Sequence, residues 1–232
     1  MKNIRILVLV ALVGTVGGLH AQTVIDSGYC GANGDTNLTW KLTSDNTLTI
    51  SGSGAMNDYE AYYLSYYAPW YPYCMAISTV VIDSGVTSIG NKAFYGCEYL
   101  SSVTIPNSVT IIGEGAFGGC AWRLNSVTLP NSVTSIEKET FRGCENLISI
   151  TLPSSLISIG VRAFSGCYRL QSITLPNSLI SIGDFAFVGC YKFTSVTIPA
   201  AVATIGHFAF GGCRILTSIN VDSNNQRYSS IN

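Results

Sequence analysis

The stretch SVTIPNSVTIIGEGAFGGC, residues 102–120, decides the fold, because nearly the same line begins again where it ends. Val103 and Ile105 are apolar while Ser102 and Thr104 carry hydroxyls, the alternation of a strand with one buried face. Pro106 follows at once; having no N–H to donate, it ends the ladder and turns the chain. Val109 and Ile112 form a second short alternation and predict another strand on a different side. GEGAFGGC then places Ala116 and Phe117 in a predicted helical turn, closed by Gly118 and Gly119.

Working outward, LSSVTIPNSVTIIGEGAFGGC from Leu100 is matched by LISITLPSSLISIGVRAFSGC from Leu147 and LQSITLPNSLISIGDFAFVGC from Leu170. Divergent copies begin at Ile77, Leu124 and Phe193, and a partial one at Leu216. Cys97, Cys120, Cys144, Cys167, Cys190 and Cys213 lie 23 residues apart, except for one step of 24 caused by the extra residue in Ala121-Trp122-Arg123. That period falls in the range of leucine-rich repeats. One unit has too little area to bury alone, so units must stack. Stacking in register gives a spine of Phe94, Phe117, Phe141, Phe164, Phe187 and Phe210, with columns of prolines and cysteines beside it. Seven strand segments would span about 30 Å at ~4.8 Å per coil. The expected architecture is an α/β repeat solenoid, a leucine-rich repeat of 23-residue coils with parallel strand ladders and short helical turns.

The repeated motif SVTIPxSVTxIGxxAFxGC resembles the BspA-like leucine-rich repeats of surface proteins from bacteria and some protozoa. The resemblance covers about residues 77–221, and CGANGDTNLTWKLTSDNTLTISGSGAM and APWYPY are similar to the segment that precedes such repeats. It implies adhesion or protein recognition at a cell surface, including binding to host matrix proteins in some members. Glu137, where other copies have Gly, and Thr140, in place of Ala, depart from the motif and affect the local turn of that coil.

The chain divides into four parts. Residues 1–21 have the layout of a secretory signal peptide: Lys2 and Arg5, then an apolar run from Ile6 to Val13, then a Gly-rich stretch with predicted cleavage after Ala21. Residues 22–76 form an expected N-terminal β-rich cap, in which Leu38, Trp40 and Leu42 face Leu48 and Ile50 across a hairpin turned at SDN. Residues 77–221 are the repeats and 222–232 an incomplete last one. No segment after the signal is long and apolar enough to cross a membrane. The last unit loses Pro after Val221 and is expected to expose apolar coil and a strand edge, so that either further chain follows in a longer product or the end associates with another molecule, end-to-end self-association included.

Composition narrows the function. A formal charge of −1 and 11% charged residues give no long-range attraction for nucleic acid. After the signal, His207 is the single histidine, and Asp83, Glu98, Glu114, Glu137, Glu139, Glu145 and Asp184 include no two at one repeat position in adjacent coils. Neither a nucleophile triad nor a paired-carboxylate site is specified, no cofactor is implied, and the cysteines show no C-x-x-C spacing for a metal. The ladder cysteines are read as buried thiols beside the Phe spine, and Cys30 and Cys74, taken as lying outside the ladder, as the predicted disulfide.

What remains is surface. Between residues 77 and 221 every charged residue except Asp83 falls in the turns after the second strand, and aromatics share that stretch. Tyr99, Trp122, Arg123, Arg142, Tyr168, Arg169, Tyr191, Lys192 and Arg214 are therefore the candidate binding edge. Thr104, Thr128, Thr151, Thr174 and Thr197 mark a candidate concave hydroxyl face. Tyr62, Tyr63, Tyr66, Tyr67 and Trp70 in the cap either pack onto the first coil or form a candidate aromatic platform. The expected function is a non-catalytic, exported protein-binding or adhesion module whose partner is an extracellular or host-surface protein. The alternative is a carbohydrate-binding or enzyme accessory module that takes a glycan on the tyrosine-rich cap.

Overall fold

The computed structural model describes residues 22–60 and 67–230; the predicted signal segment and Tyr62, Tyr63 and Tyr66 lie outside them. The chain starts as a three-stranded antiparallel meander of β1 (Val24–Tyr29), β2 (Leu38–Thr43) and β3 (Thr47–Gly52). Its hairpin turn is held by Asp45, whose carboxylate accepts from the Thr43 and Thr47 hydroxyls at 2.6 and 2.9 Å, with Asn46 in the left-handed region at φ 64°. Leu38, Trp40, Leu42, Leu48 and Ile50 all point into the core, as their alternation requires.

β3 is also the first rung of the wall. It pairs in parallel with β5 (Thr79–Ile82), Thr47 opposite Thr79, and β4 (Gly54–Ala55) pairs in parallel with β6 (Val86–Ile89). The register therefore begins at Thr47, upstream of the Ile77 boundary read from the repeats. Trp70 occupies the spine position of this irregular first coil and stacks on Phe94 at 5.6 Å, its Nε1–H donating 2.8 Å to the Ala93 carbonyl.

Later coils contribute up to two short strands each. The first-strand series is β5, β7 (Ser102–Thr104), β9 (Ser126–Thr128), β11 (Ser149–Thr151), β14 (Ser195–Ile198) and β16 (Ser218–Val221). The second is β6, β8 (Ile111–Ile112), β10 (Ser135–Ile136), β12 (Ser158–Ile159), β13 (Ser181–Ile182) and β15 (Thr204–Ile205). Pairing within the wall is parallel and, apart from a shift between Gly54 and Ala55 of β4, in register. Neither ladder is continuous. β7 is not paired with β9 nor β8 with β10, a break that falls at the 24-residue step, and residues 172–174 keep the strand pattern without forming a strand.

The AF turns are not helical, which corrects the α/β expectation to a β-solenoid. The reason is where the amides go. Ala93, Tyr95 and Cys97 donate back within their own coil to Gly90, Lys92 and Phe94, whereas Lys92, Phe94 and Gly96 donate forward to Glu114, Ala116 and Gly118 of the next. Alternate amides thus serve turn and neighbour, and no i to i−4 series is left to build an α-helix. Among the described residues the only helical pieces are 3-10 turns at Ala32–Gly34 and Tyr71–Tyr73.

The core is a ribbon. Phe94, Phe117, Phe141, Phe164 and Phe187 are fully buried and stack with centroids 5.2–5.6 Å apart, and Phe210 continues the column half-buried. Burying each such ring contributes about 1.5–3 kcal/mol. The carboxyl-terminal rung is more covered than expected. Asn225 is buried, its Nδ2 donating to the Pro199 and Val202 carbonyls and its Oδ1 accepting from the Arg227 and Tyr228 amides. Tyr228 packs on the core, and its hydroxyl accepts from the Ile205 amide at 3.0 Å. Phe208, 71% exposed, and Ile219 remain open at that end.

Candidate functional site

The thiol column comes first, because it fixes where the edge projects. Cys74, not Cys30, supplies the first rung: Cys74 is bonded to Cys97, and Cys30 is free and buried. This overturns the expected Cys30–Cys74 pairing and removes Cys97 from the free thiols. The error lay in placing Cys74 outside the ladder, since it stands one period, 23 residues, before Cys97. Cys120, Cys144, Cys167, Cys190 and Cys213 are free, and each Sγ donates to a Phe carbonyl of the preceding coil, as Cys144 does to Phe117 at 3.2 Å. Burial holds these thiols protonated, Cys144 being pushed up to about 12. Their raised values are the opposite of the lowered thiol value that marks a reactive cysteine.

Directly after each Cys the chain swings outward, and those positions stack into a rail. Tyr99 meets Trp122 edge-on at 4.9 Å, and the Arg123 guanidinium lies 5.4 Å from the Tyr99 ring centre. Asn146 donates to the Trp122 carbonyl at 2.8 Å and accepts from Arg169 Nη1 at 3.1 Å, joining the upper part of the rail to the lower. Tyr168 stacks on Tyr191 at 4.8 Å with only 4° between the planes, and Arg214 caps Tyr191 at 4.2 Å. Trp122, Arg123, Tyr168, Arg169, Lys192 and Arg214 are exposed. Arg142 does not join them. It lies in the turn before Cys144 and pairs with Glu139 at 3.4 Å.

At the rail's amino-terminal end is a cleft of about 310 Å³ lined by Asn46, Met75, Ala76, Ser78, Tyr99, Ser101 and Arg123. Met75, 56% exposed, is the feature that sequence reasoning missed. It holds the position after Cys74, so recognising Cys74 as a rung would have put it on the rail. The hydroxyl face exists but in pieces: Thr104, Thr128, Thr151, Thr174 and Thr197 are all exposed, yet only Thr128 and Thr151 are paired with each other in register.

The aromatic platform is corrected. Trp70 is fully buried in the spine, and Tyr59 is buried against it at 5.7 Å. Of the platform residues that are described, Tyr67, stacked on the exposed Tyr71 at 3.9 Å, keeps a place near the surface. Burial, with the neighbouring Tyr67, raises the Tyr71 hydroxyl above its ordinary value.

The coil geometry and the residues match one known pattern. A family profile described as "BspA type Leucine rich repeat region" matches six copies over residues 67–168 and 121–231. The chain belongs to the BspA-type leucine-rich repeat family. The match starts at Tyr67, in agreement with Trp70 and Cys74 being repeat positions. A leucine-rich cell surface protein of Faecalibacterium prausnitzii is 30% identical with a TM-score of 0.60, the alignment covering 86% of this chain and 56% of that one. A leucine-rich repeat protein of Bacteroides ovatus is 28% identical with a TM-score of 0.52, covering 83% and 53%. The BspA-type chain thus spans little more than half the length of these two structures. No curated protein sequence matches it significantly.

Proposed function

We propose that this BspA-type chain is an exported, non-catalytic recognition module that presents its rail to an extracellular or host-surface protein. The observation that carries the reading is the stack of exposed aromatic and cationic side chains, one coil apart, fixed to a rigid thiol and Phe column. Export is supported by the layout of residues 1–21. Recognition rather than catalysis is supported by the site's contents: the candidate surface gathers no nucleophile with a base, and its thiols are buried and protonated. Solenoids offer extended surfaces of this kind, and Tyr, Trp and Arg are the residues that dominate binding energy.

A panel of extracellular matrix proteins set against a glycan array tests it. A protein ligand is expected on the panel, with binding at low salt weakened by Arg169→Glu together with Lys192→Glu. Ligands on the glycan array alone would move the function to the carbohydrate-binding alternative, which the burial of Trp70 and Tyr59 argues against. End-to-end association through the open rung at Phe208 is a further partner reading, checked by sedimentation at rising concentration.

A further inference from the structure

We infer that the carboxyl-terminal half of the rail, from Tyr168 to Arg214, is a docking site for a carboxylate-rich, extended segment of a partner protein. The inference rests on the recognition reading above and sharpens its ligand.

The chain is close to neutral overall, but its acids and bases are not mixed evenly. Lys138 and Arg142 find Glu114 and Glu139 in the AF turns. Arg169, Lys192 and Arg214 form no ion pair among the described residues, and no carboxylate occupies the two rail positions after Cys167, Cys190 or Cys213. Three exposed cations in three consecutive coils lie within about 10 Å along the wall at ~4.8 Å per coil. Glu145, on the coil before, bounds the patch.

Two of the three cations are also preorganised. Arg214 rests on the face of Tyr191, and Arg169 is held by Asn146. A guanidinium laid on a ring keeps its N–H edge free to grip a carboxylate through two parallel bonds, and loses little freedom in doing so. Tyr168 and Tyr191 make no hydrogen bond through their hydroxyls among the described residues, so two more donors stand beside the cations.

The ring stack separates an acidic peptide from an anionic sugar. Tyr191 has Tyr168 on one face, and in the next coil Arg214 on the other. No face of that ring is left for a pyranose to stack on. What the stack turns outward is its ring edges, the positive part of the aromatic quadrupole, which favours anionic groups. An extended peptide carries side chains on one face every ~6.6–6.8 Å, so two of its carboxylates fall within the ~10 Å that the three cations span.

The test uses the full chain and three probes followed by fluorescence anisotropy: a fluorescein-labelled peptide alternating Glu and Ser, the same peptide with Gln for Glu, and a heparin fragment as competitor. The Glu peptide is expected to bind, more weakly as salt rises, with the Gln peptide about tenfold weaker or worse, a difference of about 1.4 kcal/mol. Arg169→Glu, Lys192→Glu and Arg214→Glu together should abolish binding, while Lys41→Glu on the hairpin leaves it intact and an unchanged circular dichroism spectrum shows that both variants fold. Absence of Glu-peptide binding, equal binding of the two peptides, indifference to the triple reversal, or tighter binding of the heparin fragment would each overturn the inference. On the matrix-protein panel, a partner that still binds the triple variant sinks the acidic ligand and leaves recognition standing, whereas a panel without ligands sinks recognition itself.

Discussion

Gly183 shows how little room separates one coil from the next: a Cβ there would lie 2.7 Å from Gly160 C and Val161 N. Gly183→Ala should therefore cost about 1–3 kcal/mol through forced separation of two rungs, seen as a lower urea midpoint at unchanged slope. Glu137 occupies the equivalent position in its own coil, and there the strands have parted, β8 on one side and β10 on the other. The departure was legible in the sequence; its consequence was not, because one unit cannot reveal how closely its neighbour approaches. The cysteines give a second prediction at this scale. Alkylation in denaturant without reduction should label Cys30, Cys120, Cys144, Cys167, Cys190 and Cys213, and leave one linked peptide containing Cys74 and Cys97. A Cys30–Cys74 peptide would contradict the fold of the first coil.

The turn element that carries the thiols makes a prediction about pH. Burial raises Cys120, Cys144, Cys167 and Cys190 above the ordinary thiol value of 9.0, Cys144 to about 12. The unfolded chain therefore loses these protons first as pH climbs, so above pH 9 it binds fewer protons than the folded one and stability falls. The contribution is fully present below pH 9 and is lost progressively as pH approaches 12. A melting temperature that declines from pH 9 upward, and declines less steeply when Cys120, Cys144, Cys167 and Cys190 are all replaced by Ala, is the expected result. The position of this element was readable from the repeat, and so were the Phe and Cys columns and both strands. Its backbone was not, because GEGAFGGC satisfies helix stop signals while its amides are spent on alternate coils. The rail was legible as a list of aromatic and charged residues. Its pairing was not, because whether Arg142 turns to Glu139 or joins Tyr168 depends on which side of the thiol column it leaves the coil.

At the scale of the molecule, the break in both ladders divides the wall into an amino-terminal block ending at Cys120 and a carboxyl-terminal block starting at Leu124. No strand pairing joins β7 to β9 or β8 to β10. What crosses is the Phe117–Phe141 stack at 5.6 Å, the turn bonds from Gly115, Phe117 and Gly119 to Lys138, Thr140 and Arg142, the side-chain bonds from Cys144 Sγ and the Ser132 hydroxyl to the Phe117 and Val109 carbonyls, and the exposed Glu114–Lys138 pair. Solenoid stability is a sum of coil terms and nearest-neighbour interface terms, so the weakest interface decides whether the whole unfolds as one. Phe117→Ala removes the largest apolar group at that interface and costs about 3–5 kcal/mol. It should split urea unfolding into two steps, with amides of residues 102–112 and 126–136 exchanging faster than before. Phe164→Ala removes the same ring where β12 and β13 are paired across the rung, so it should lower the midpoint by a similar amount and keep one transition. Equal cooperativity in the two variants would mean that the turn bonds and remaining stack couple the blocks as firmly as a strand ladder does, and that the inserted residue at Ala121-Trp122-Arg123 bends the rail outward without weakening the wall behind it.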